Sequence, residues 1–378
     1  MTAASRLLLY SCGTGENPAR LEAVADLPAA DITDEGNRLL FNRAADEFFS
    51  LYAGSRVIVN AHRQAGFLEK AIAWLAAHPA SGLTAAGRFS ESAVEAAGRS
   101  AQSAGAELSV TRRAEPRLFK VRRSEGLIDA LVPCAGFADE AEAFASCLAP
   151  ARGVHGADCW TQLWKSDVLI PALEAGVRKR EAFYGVAREL ARATGSGLNF
   201  SSVGRTQGVP GLTVREWAAL LEELCVVQKL EALDLKPSRR TLDRPKLYWR
   251  HPGFGLWLSG EMIRPSSKTR RAFFENALFL ALKDAYPQAR FCHFADTNRV
   301  VCPLALEVDG AFEAWYVCEN EAERLFALRH HRSIFKTGRF HARAAFVAFE
   351  SLAAPARVSY GDAAAPDAAA ANQRPFKD

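Results

Sequence analysis

The chain has 378 residues, of which 49% are hydrophobic and 24% charged, and Lys plus Arg outnumber Asp plus Glu by 47 to 43. That length suits two or three domains with cores of their own, and a net charge of +4 permits an anionic partner without requiring one. No apolar run approaches about 18 residues, no charged-then-apolar leader opens the chain, and the eight cysteines form no C-x-x-C pair. The expectation is a cytoplasmic protein with reduced thiols and no membrane partner.

The first 150 residues alternate strand-like and helix-like stretches. Arg6 to Tyr10 reads as a strand, and Asn37 to Tyr52 as one helix with Leu40, Ala44, Phe48 and Leu51 on its apolar face. Arg56 to Asn60 reads as a second strand, followed by a helix over Phe67 to Ala77. Ala86 to Gly105 fits a helix or a loop, and Glu107 to Arg123 is extended and basic. Such alternation predicts a mostly parallel sheet flanked by helices.

From about residue 156 the pattern turns helical. Trp160, Trp164 and Val168 share a face, as do Phe183, Val186, Leu190 and Ala193, before Gly195-Ser196-Gly197 ends the helix. Leu198 to Val209 is followed by a helix opening at Gly211-Leu212-Thr213, where Thr213 and Glu216 have the spacing of a capping box. Two short helices followed by the extended pair Leu230 to Lys236 and Lys246 to Arg250 predict a winged helix. A third unit contains a helix over Arg271 to Tyr286, a strand over Arg290 to Phe294 and a hairpin turning at Asp309-Gly310. A helix near Glu321 to Phe335 and a strand over Ala344 to Phe349 complete it. Beyond Ser351 the Ala/Pro-rich composition predicts a disordered tail.

The first strand runs into Ser11-Cys12-Gly13-Thr14-Gly15-Glu16-Asn17-Pro18, where a phosphate-binding loop would sit. Such a loop reads G-x-x-x-x-G-K-[ST]: its amides cradle phosphates, its lysine neutralises them and its hydroxyl holds magnesium. No Gly-Lys dipeptide occurs anywhere in this sequence.

The order of units, with Trp160-Thr161-Gln162-Leu163-Trp164, Thr194-Gly195-Ser196-Gly197-Leu198-Asn199, Thr213-Val214-Arg215-Glu216-Trp217 and Pro245-Lys246-Leu247-Tyr248-Trp249, resembles a prokaryotic family. Its members are AAA-type ATPases whose P-loop domain joins a winged helix and a C-terminal restriction-endonuclease-like domain of unknown function. The resemblance implies an α/β fold. A degenerate P-loop-like parallel-sheet domain would span residues 1–150, a helical and winged-helix domain 151–260, and a small restriction-endonuclease-like α/β domain 261–351. Residues 352–378 would form the tail.

The same resemblance shows which chemical groups are missing. The degenerate loop would place Gly13, Thr14, Gly15 and Asn17 at the cofactor site, with Asn17 in the lysine position and Pro18 in the hydroxyl position. The metal-binding carboxylates expected after the second strand are replaced by Val59-Asn60-Ala61-His62. The nuclease positions for an Asp and an E-x-K fall on Cys302 and Tyr316-Val317-Cys318, leaving Glu275 as a lone helical acid.

The implied function is that of a pseudo-ATPase and pseudo-nuclease: a binding or assembly component without catalytic residues, cofactor or metal, acting with an unidentified protein partner. One alternative is an ATP- and Mg-binding enzyme that uses Arg20, Arg88 or a partner's cation in place of the lysine. The other is a winged-helix DNA binder presenting Arg205, Thr206, Gln207 and Arg215.

Overall fold

The computed structural model describes residues 5–11, 28–64, 66–87, 89, 91–112, 119–124, 127–133, 157–233, 244–262, 264–298, 300–308, 311–335, 342–348 and 356–361. Five short strands, β1 (Arg6–Ser11), β2 (Ala29–Asp31), β3 (Val57–Val59), β4 (Gly82–Gly87) and β5 (Glu107–Arg112), form one sheet in the order β2-β3-β4-β1-β5. Every pairing in it is parallel. Helices α1 (Glu35–Arg43), α2 (Ala45–Tyr52), α3 (Phe67–Ala77) and α4 (Glu91–Ser103) connect β2 through β5 in turn, as parallel pairing requires.

The expected single helix over Asn37 to Tyr52 is broken at Ala44, whose φ of −145° and ψ of 69° are not helical. The break changes the buried face. Phe41, Phe48, Phe49 and Tyr52 enter the core, whereas Leu51 of the anticipated face is exposed. Packing dictates this choice: Phe41, Phe48, Phe49 and Phe67 form a mutual ring cluster with centroids 5.5 to 5.9 Å apart. Each such pair contributes about 0.5–1.5 kcal/mol beyond its buried area, which outweighs an uninterrupted helical ladder.

The middle of the chain is helical: α5 (157–174, with a π-helical turn at Trp164–Leu169), α6 (Arg180–Arg192), α7 (Phe200–Gln207) and α8 (Gly211–Glu223). Strands β8 (Val227–Leu230) and β9 (Lys246–Trp249) then pair antiparallel, and α9 (Pro252–Ser259) follows. The capping box is not formed. Helix α8 starts two residues before Thr213 with Pro210 at its N-cap, while Asn199 caps α7 by accepting from the Ser202 amide at 3.1 Å.

The last unit contains α10 (Ser267–Ala285), β10 (Arg290–Ala295), β11 (Val301–Val308), β12 (Ala311–Cys318), α11 (Glu321–Phe335) and β13 (Ala342–Ala348). Residues Phe273 to Leu282 of α10 are all buried, so this helix is covered on every side. The expected hairpin β11–β12 is antiparallel, and its turn at Asp309-Gly310 lies outside the described residues.

The anticipated domain limits need correction at two points. Strands β6 (Phe119–Ser124) and β7 (Leu127–Pro133), assigned to the first unit, belong to a seven-stranded sheet ordered β10-β11-β12-β13-β14-β7-β6. Strand β14 (Ala356–Gly361), assigned to the tail, pairs with both β13 and β7. The physical reason is edge pairing: β13 and β7 each offer unpaired backbone groups, and β14 satisfies both. Residues 362–378 lie outside the described residues.

Candidate functional site

Strand β9 carries the main anomaly of the molecule: Lys246, Leu247, Tyr248 and Trp249 are all buried. Side chains two residues apart share a strand face, so Lys246 and Tyr248 project together. Both meet Glu275, the sole charged residue in the apolar run Phe273 to Leu282. Lys246 Nζ donates to Glu275 Oε1 at 2.8 Å and to the Pro303 carbonyl at 2.8 Å. The Tyr248 hydroxyl donates to the same carboxylate oxygen. Burial, the Glu275 charge and that hydrogen bond push the Tyr248 phenol well above its usual range, so it stays a donor.

The strand is fixed along its length. Trp249 N donates to Asn276 Oδ1 at 2.8 Å, Asn276 Nδ2 returns a bond to Trp249 O at 2.9 Å, and Trp249 Nε1 donates to Thr194 Oγ1 at 3.1 Å. Gly195 closes the other side with φ of +70°, a left-handed conformation that favours glycine. A Cβ there would also stand 3.4 Å from Glu275 Oε1.

Above this triad opens a cleft of about 680 Å³, bounded by the Gly195–Gly197 loop, the start of β9, α10, the β10–β12 face and α11. Arg271 on its wall pairs with Glu323 at 3.0 Å. His293, 1% exposed, donates from Nε2 to the Arg244 carbonyl at 3.0 Å, while its Nδ1 has no hydrogen-bond partner among the described residues. Burial, then the nearby Lys246 charge, pushes His293 down to about 3, so its imidazole is neutral at physiological pH. A smaller groove of about 490 Å³ adjoins the cleft through Arg244 and is lined by Arg215, Lys229, Glu222 and Glu231.

The positions that the resemblance would assign to an Asp and an E-x-K lie at and behind the cleft. Cys302, Tyr316 and Cys318 are buried. Desolvation raises the Cys302 thiol to about 12 and the Cys318 thiol to about 11, and raises the Tyr316 phenol well above its usual value. All three are therefore neutral near pH 7. Among the described residues, no group of three or more His, Cys, Asp or Glu side chains is arranged to hold a metal ion.

At the first sheet, Gly13, Thr14, Gly15 and Asn17 lie outside the described residues. At the carboxyl edge of the described sheet, Asn60 has φ of 60° and donates from Nδ2 to Asp31 Oδ2 at 2.9 Å. Asp31 Oδ1 accepts from the Thr33 amide and hydroxyl. The polar groups ending β2 and β3 thus satisfy one another, and they do not fit the carboxylate pair that a magnesium nucleotide needs.

The four residues anticipated to contact DNA lie on α7 and α8. Arg205 and Thr206 are exposed on α7, with the Thr206 hydroxyl donating to Ser202 O at 3.2 Å. Gln207 is turned against α6, where its Oε1 lies 2.0 Å from the position a Cβ on Gly185 would take, so it does not face outward as expected. Arg215 sits on α8 with its guanidinium 5.7 Å from the Phe200 ring centroid. It shares the exposed face of α8 with Leu212, Glu216, Ala219 and Glu223, a face with more negative than positive charge.

Lys246 and Tyr248 were not singled out by sequence reasoning as site residues. The available signal was a lysine and a tyrosine at i and i+2 in an apolar strand, with one acid in an otherwise apolar helix.

A family model described as a domain of unknown function, DUF8612, matches residues 170–262, from within α5 through α9. No curated protein and no solved structure matches the chain.

Proposed function

We propose that this chain is a non-catalytic binding or assembly protein, a pseudo-ATPase and pseudo-nuclease related to AAA-type ATP-binding proteins. The observation that carries this reading is the chemistry of the cleft. Positions that would need two carboxylates and a lysine hold Cys302, Tyr316 and Cys318, all buried and neutral. Of the two acids lining the cleft, Glu275 is neutralised by Lys246 and capped by Tyr248, and Glu323 is paired with Arg271. A hard divalent cation needs several anionic oxygens, and a carboxylate already bonded to an ammonium and a phenol is a poor ligand.

Further support comes from architecture. The parallel β1–β5 sheet suits a degenerate ATP-binding domain, α6–α8 with β8–β9 follow the order of a winged helix, and α10 to β13 follow a helix, three strands, a helix and a strand. The acidic outer face of α8 favours a packing role for the middle unit over DNA contact.

Purified full-length protein is expected neither to cleave single- or double-stranded DNA with Mg²⁺ or Mn²⁺, nor to hydrolyse ATP. Metal-dependent cleavage that disappears in Glu275→Gln would refute the pseudo-nuclease reading, and ATP hydrolysis abolished by an Asn60 substitution would refute the pseudo-ATPase reading.

A further inference from the structure

We infer that the cleft above the Lys246–Glu275 pair binds a small planar ligand carrying one negative charge, with its ring on Phe326 and its anion on Arg244. The inference rests on the non-catalytic reading above, because it treats the cleft as a binding site.

Charge sets the first requirement. Three cations, Arg244, Lys246 and Arg271, and two carboxylates, Glu275 and Glu323, line the cleft. Lys246 is paired with Glu275 at 2.8 Å and Arg271 with Glu323 at 3.0 Å. Arg244 is exposed and stands in no ion pair among the described residues, so one positive charge is left over. A guanidinium presents a planar fork that fits the two oxygens of a carboxylate or phosphodiester. Its backbone is held for the task by the hydrogen bond from His293 Nε2 to its carbonyl.

The second requirement comes from α11. Phe326 is 58% exposed yet lines the cleft, and its ring lies 4.2 Å from that of His330 on the next turn. This ring pair forms an aromatic surface at the cleft rim, backed by Val301, Pro303 and Ala327. An exposed aromatic and an unpaired arginine lining one cleft of about 680 Å³ match a ring-bearing mono-anion, a volume typical of small-molecule sites. The glycine loop packs closely against the arginine: a Cβ on Gly197 would lie 3.3 Å from the Arg244 Cβ.

Two sources supply this chemistry, an aromatic carboxylate and a cyclic nucleotide. Titration calorimetry on the full chain with naphthoate and with cyclic AMP separates them, using adenosine (ring without charge) and dimethyl phosphate (charge without ring) as controls. At least one mono-anion is expected to bind at least about tenfold more tightly than either control, and the tighter of the two assigns the anion. Arg244→Ala and Phe326→Ala should each weaken binding about tenfold, and Arg244→Lys, which keeps the charge but not the fork, should not restore it fully. Failure of both mono-anions to bind, equal binding of a control, or indifference to both alanine substitutions would overturn the inference. None of these results bears on DNA cleavage or ATP hydrolysis, so the two readings fail separately.

Discussion

Replacing Lys246 with methionine tests whether the buried triad holds β9 to α10. The side chains of Lys246 and Glu275 are 5% and 12% exposed and meet at 2.8 Å, so methionine fills the volume but leaves a carboxylate facing Tyr248 alone. Removing one partner of a buried pair costs about 3–5 kcal/mol, because the remaining charge is desolvated without compensation. Tyr248 still donates to Glu275, and the lost bond to Pro303 leaves a carbonyl unsatisfied, so a loss of about 3 kcal/mol is expected. Adding Glu275→Gln should recover about 2 kcal/mol, since the neutral amide no longer needs the ammonium. Urea unfolding followed by tryptophan fluorescence is the assay, with Trp249 next to the triad. A loss below about 1 kcal/mol for Lys246→Met, or a double variant whose loss is the plain sum of the two singles, would show that the pair is not the tie argued here.

Gly255→Ala should lower stability by about 1–3 kcal/mol in thermal denaturation, since the new Cβ would lie 2.4 Å from the ring of buried Trp249. His293→Gln should remove an acid sensitivity. With the folded-state pKa near 3 and an unfolded value near 6.5, the stabilising contribution is present above about pH 6.5 and falls by about 1.4 kcal/mol per pH unit down to about 3. Comparing the urea midpoints of the two proteins between pH 7 and 4 measures that slope, and parallel curves would contradict it. Glu313→Gln should act in the opposite sense. Burial outweighs the attraction of Arg343 and raises the Glu313 carboxyl, so the wild-type side chain favours folding at low pH and loses that contribution as pH rises. The variant should therefore be the more stable protein at pH 7, with its advantage shrinking toward pH 4 in the same denaturation series.

The sequence located most of the elements. The helices over Phe67 to Ala77 and Glu321 to Phe335 are legible from local periodicity, and the hairpin β11–β12 from two apolar runs around an Asp-Gly turn signal. The break at Ala44 was not legible, since an unbroken helix satisfies local periodicity equally well and the choice of Phe41 over Leu40 is made by the Phe48, Phe49 and Phe67 rings that meet Phe41. Gln207 reads in the sequence as an exposed polar residue at a helix end, yet the missing side chain of Gly185 on α6 gives it a place to pack.

The candidate site divides in the same way. What sequence alone supplies is residue identity: Asn60, Cys302 and Tyr316 carry no carboxylate and Cys318 no amine, at the positions where the resemblance would place acids and a lysine. Tertiary structure decided the rest: that Lys246 and Tyr248 converge on Glu275, that Arg244 is left without a paired acid among the described residues, and that β14 joins β7 to β13. These partners are separated by 27 and 29 residues within the triad and by more than 200 for the pairing of β14 with β7. Local patterning reports which face a residue buries, but a buried charge or an open strand edge is satisfied by whatever the fold brings to it, and that is set by the packing of the whole chain.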